Sequence, residues 1–97
     1  MSRFLIIGFE FCKTFYYSLI QCKPKIDSVE YQITVMNGEI EKQICTNNTI
    51  KEINGYLQLE LSGNQLQNKI KSQIANSLGK VIGKPVKEVE VKTTTPN

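Results

Sequence analysis

The sequence predicts a small α+β domain: an antiparallel sheet with two helices, in the order β-α-β-β-β-α-β. Three observations carry this. Val29, Tyr31, Ile33 and Val35 alternate with polar residues, the period of two of a half-buried strand. Leu57, Leu59 and Leu61 do the same around Gln58 and Glu60. Between them and a final strand, Leu66, Ile70, Ile74 and Leu78 step by four, which makes one apolar stripe on a helix.

The chain has 97 residues, one domain's worth, and such a chain buries roughly 60–65% of its unfolded surface without a metal or disulfide staple. Residues 1–92 are read as one α+β domain, and Thr93-Thr94-Thr95-Pro96-Asn97 as a frayed tail. Ile, Asn and Lys are abundant, which points to an AT-rich genome and to no function.

From the N-terminus, Phe4-Leu5-Ile6-Ile7 reads as a short buried strand ending near Gly8. Glu10, Lys13, Thr14, Tyr17, Ser18 and Gln21 recur at three- and four-residue steps and would share one helix face, with Phe11, Cys12, Phe15, Tyr16, Leu19 and Ile20 opposite. Residues 3–22 are therefore expected to be a β–α unit, closed by Lys23-Pro24-Lys25. A membrane span over residues 4–20 is disfavoured because Glu10 and Lys13 would each cost about 2.5–3.5 kcal/mol at its middle. A signal peptide is disfavoured because Glu10 interrupts the apolar run and no small-residue cleavage site comes after it. A membrane-anchored or exported protein stays as a second alternative.

After the strand at 29–35, Asn37-Gly38 suits a two-residue type I′ turn, so a hairpin is expected with Ile40 and Ile44 on the return strand. Lys42 shares their parity and would mark that strand as a sheet edge. Glu39 and Glu41 would then share a strand face, as would Glu88 and Glu90 later. Residues 46–55 read as a polar connection. Ser62 with Gln65, or Asn64 with Gln67, offers a helix start. Gly79 and Gly83 are candidate C-caps, and Pro85 stops the helix. Val89 and Val91 alternate with Glu88 and Glu90 in the last strand. The order resembles a ferredoxin-like βαββαβ plan with one extra strand, a likeness of pattern that implies no activity.

Chemistry has few handles in this composition. There is no histidine, the residue that most readily does acid–base work near neutral pH. Cys12, Cys22 and Cys45 are odd in number and widely spaced, with no CxxC; they suit buried free thiols in a reducing, cytoplasmic compartment better than a zinc site or a disulfide scaffold. The run Gly79-Lys80-Val81-Ile82-Gly83-Lys84 lacks phosphate-loop spacing. No catalytic, metal or cofactor site is expected, and no small-molecule substrate.

Charge is unevenly spread: residues 1–25 carry +3, residues 26–62 carry −4, and residues 63–97 carry +4. The lysines of the last third, Lys69, Lys71, Lys80 and Lys84 foremost, could attract nucleic acid without reading sequence. Six of the eight aromatics fall within residues 4–17, more than one face of a short helix needs. Phe9, Phe11 and Tyr17 are therefore candidate interface residues. By elimination, the expected role is a non-enzymatic protein-interaction or assembly module, self-associating or part of a larger complex, with nucleic-acid binding as the alternative.

Overall fold

Strand propensity and turn geometry shape the first third of the chain. A computed structural model describes residues 3–44, 48–61 and 64–89. Its first two elements are β1 (Arg3–Phe11) and β2 (Thr14–Pro24), an antiparallel hairpin paired without interruption from Arg3↔Cys22 to Phe11↔Thr14. The helix expected within residues 3–22 is a strand instead. Its aromatic and branched residues favour a pleated surface, and Cys12 and Lys13 form the two-residue turn with φ of 51° and 60°, as type I′ geometry requires.

The third strand, β3 (Val29–Val35), is the one the alternation predicts, and it pairs with β2. The expected hairpin after it is absent: Asn37-Gly38 opens a helix, α1 (Gly38–Ile44). The Asn37 side chain accepts from the Glu39 and Ile40 N–H groups at 3.1 and 3.2 Å, the bonding of a helix N-cap. The Glu41 carboxylate reaches back to accept from the Val35 N–H at 2.6 Å. Ile40 and Ile44 are four apart, a spacing that fits one helix face as well as one strand face. Glu39 and Glu41 consequently share no strand face, and Lys42 lies on a helix, where it blocks no sheet edge.

The next hairpin, β4 (Thr49–Ile53) and β5 (Tyr56–Glu60), turns at Asn54-Gly55 with φ of 55° and 83°. Helix α2 (Gln65–Ile82) starts on Asn64, which forms a reciprocal capping box with Gln67, and ends on Gly83 in left-handed conformation. Ser62, the other expected cap, lies outside the described residues, as do Cys45, Glu90, Val91 and the expected tail at 93–97. The last strand, β6 (Val86–Val89), runs parallel to β5.

The six strands lie in sequence order, β1-β2-β3-β4-β5-β6, antiparallel except for the last pair. This is the α+β class read from the sequence, with one strand more. The observed order is β-β-β-α-β-β-α-β. Helix α2 lies over β1 and β5, with α1 beside it over β3. One sheet face thus holds the core: Ile7, Phe9, Ile20, Ile33, Ile50, Leu57 and Leu59 pack against Ile44, Ile70, Ile74 and Leu78. Leu66, expected in that stripe, is 40% exposed because it sits in the first turn of α2. Gly79 is needed for close packing, since a Cβ there would stand 2.7 Å from the Lys84 carbonyl oxygen.

Candidate interaction surface on the open sheet face

With both helices on one face, the other face of the sheet is bare among the described residues, and strand pairing dictates what it shows. Residues paired across antiparallel strands share a face. The pairs Ile6↔Leu19, Gly8↔Tyr17 and Glu10↔Phe15 therefore put Ile6, Leu19, Tyr17 and Phe15 on the open side, with Phe4 two residues before Ile6. Met36 comes just after β3 and donates its N–H to the Tyr17 carbonyl at 2.9 Å, extending the same row. Phe4, Ile6, Phe15, Tyr17 and Met36 are each between 54% and 65% exposed. Phe15 and Tyr17 meet edge to face, ring centroids 5.2 Å apart. The Phe15 ring covers Gly8 so closely that a methyl group there would collide with it. Glycine in β1 thus makes room for an aromatic ring.

The rest of this face is charged. Lys23 pairs with Glu30, Glu30 with Lys51, Lys51 with Gln58 and Gln58 with Lys87. This row alternates in sign across β2, β3 and β4 and ends on a third lysine in β6, and Glu10 and Glu60 on the same face offset its excess positive charge. The open face is divided into an apolar corner on β1, β2 and Met36 and a mixed polar remainder.

That corner adjoins a sheet edge. Because Tyr17 turns its carbonyl to β3, its partner Gly8 turns its N–H and C=O away from β2. Phe4, Ile6 and Glu10 share that outward orientation. The nine-residue edge strand β1 has no bulge in its pairing and no proline, two devices that commonly discourage strand addition.

The candidate interface residues fare differently. Tyr17 stands at the centre of the patch. Phe9 is 1% exposed and stacks on Tyr16 at 5.7 Å within the core, because strand parity sends it to the helix-covered side. Phe11 shares that side, half-buried, and lines a groove with Lys69, Gln73 and Asn76. Phe4 and Ile6, expected in a buried strand, and Phe15, expected on the apolar face of a helix, carry their surface signal in excess apolarity: β1 and β2 are apolar on both faces.

The four lysines do not form one surface. Lys69 and Lys80 are exposed on α2. Lys71 is 1% exposed, threads beside Ile70 and donates from Nζ to the Glu60 carbonyl at 3.4 Å; burial lowers its pKa, opposed by the Glu60 charge. Lys84 approaches the Glu52 carboxylate at 3.9 Å. Glu52 also accepts from the Tyr31 hydroxyl at 2.7 Å, and burial, with that bond as a second cause, pushes the phenol up.

Cys22 borders a pocket with Arg3, Pro24, Val29 and Tyr31. Burial pushes its thiol up, Arg3 opposing the effect and Glu52 adding to it. A thiol so placed stays protonated near neutral pH and is a poor nucleophile. Cys12 sits exposed in the β1–β2 turn. Among the described residues no three acidic or sulfur side chains gather as a metal site, and no described helix is long and apolar enough to cross a membrane. No family model matches the chain, and neither a curated protein nor a solved structure does.

Proposed function

We propose that the chain is a non-enzymatic protein-interaction module that docks a protein partner on the open face of the β1–β2 hairpin. One observation carries this reading: five large apolar side chains, each more than half exposed, lie together on one sheet face. Their exposed area is on the order of 500 Å², at the upper end of what a monomer leaves uncovered. Aromatic and methionine side chains are also those enriched at interface centres. The lysine alternative has weaker support, since Lys71 is internal and Lys84 faces Glu52.

Site-specific photocrosslinking in expressing cells tests the reading. A photoreactive residue at Tyr17 is expected to give protein-sized adducts, and one at Gln58, on the charged half of the same face, few. Equal yields at the two positions, or none at Tyr17, would count against the proposal.

A further inference from the structure

The geometry points to a second copy of this chain as the occupant of the patch, with the two open faces stacked about a twofold axis near Tyr17; this rests on the docking surface just proposed. Three properties of the patch favour a copy over an unlike partner. The first is area. About 500 Å² of apolar side chain, rimmed by Gln21, Thr34 and Glu10 on the same face, approaches the roughly 800 Å² per partner of a stable interface.

The second property is charge. An isologous contact sets a surface against itself, so any charge near the axis would meet its own kind. Phe4, Ile6, Phe15, Tyr17 and Met36 are all neutral, and on the same face Lys23, Lys51 and Lys87 are matched by Glu10, Glu30 and Glu60. Such a face is compatible with itself and presents no net field to recruit nucleic acid or a strongly charged protein. The third is shape. Two sheet faces pack about 10 Å apart with their side chains interleaved, and the Phe15 ring over Gly8, set at 82° to the Tyr17 ring, gives this face the relief such interleaving needs. Tyr17 lies midway along the row Gly8–Tyr17–Met36, with Phe15 and Leu19 as its same-face neighbours along β2.

The test is the particle mass of the purified chain by sedimentation equilibrium. At about 100 μM, above the micromolar weak end for interfaces of this size, the chain is expected at twice its 11.0 kDa mass. Tyr17→Lys places two ammonium groups face to face near the axis, and Met36→Lys charges the patch from outside the strands. Each is expected to weaken association by about 100-fold or more while leaving the melting temperature of the monomer unchanged. Thr34→Lys, at the rim, is expected to leave the dimer in place. A monomeric wild-type chain, or a Tyr17→Lys chain that still dimerises, would overturn the inference. A monomer that gives crosslinks from Tyr17 overturns only the second copy and leaves the docking surface standing; a monomer without crosslinks ends both.

Discussion

Two residues with unfavourable backbone angles hold the hairpin on which the surface is built. Cys12 and Lys13 both lie at positive φ, where a residue with a Cβ costs roughly 1–2 kcal/mol. Neither is the asparagine or glycine that such a turn prefers. Lys13→Gly should therefore stabilise the chain by about 1 kcal/mol, the relief exceeding glycine's entropic cost in the unfolded state. A higher urea midpoint with an unchanged slope is the expected result; a lower midpoint would mean that the Lys13 side chain contributes more than its strain costs.

Lys71 offers a second residue-scale check. Its folded pKa lies below the usual lysine value of 10.5. Between those two values the unfolded chain binds the extra proton, so Lys71 makes stability rise with pH across that interval. Tyr31 acts in the opposite sense: its pKa is raised by burial, so above pH 10 the folded chain holds a phenol proton that the unfolded chain loses, and this group lowers stability as pH climbs past 10. The difference between wild type and Lys71→Met cancels the tyrosine and isolates the lysine. Wild type should gain on the variant as pH rises toward 10.5, read from urea midpoints at several alkaline pH values; parallel curves would contradict the burial of its ammonium group.

At the scale of elements, two Asn-Gly pairs show how far local sequence reaches. Asn54-Gly55 makes the β4–β5 hairpin, whereas Asn37-Gly38 starts α1. The dipeptide is the same, and the residues after it make the difference. After Gly38 come Glu39 and Glu41, acidic residues that suit a helix start, and Ile40 and Ile44 satisfy either period. After Gly55, Leu57 and Leu59 satisfy only a period of two. The β3 alternation and the α2 stripe were legible for the same reason, each fitting one period alone. The β1–β2 hairpin was not, since strands apolar on both faces lose their alternation and the Cys12-Lys13 turn carries no glycine or asparagine. Tyr17 could be singled out by type, but Phe9 and Phe15 exchange roles once strand parity replaces helical phase.

Helix α2 is the element on which the core depends most. Ile74 is fully buried at the middle of its stripe. Ile74→Ala is expected to cost about 2–4 kcal/mol through lost burial and a residual cavity, seen as a lowered urea midpoint. A loss below about 1 kcal/mol, outside the range for a buried isoleucine, would mean that α2 does not press on the sheet as described.

For the whole molecule, the consequence of this topology is asymmetry. Both helices lie on one side, so the residues that would fill the second layer of a sandwich are present on β1 and β2 without a layer above them. The proposed second copy would supply that layer and leave β4–β6, with their lysines and glutamates, facing water. Radical footprinting of the purified chain at low and high concentration tests the stacked faces most directly, because it reports on the side chains themselves. Phe15, Tyr17 and Met36 should be labelled in dilute solution and protected at about 100 μM, where interfaces of this size are populated, while Tyr56 on the charged half is unchanged. Equal labelling of Tyr17 and Met36 at both concentrations would contradict it.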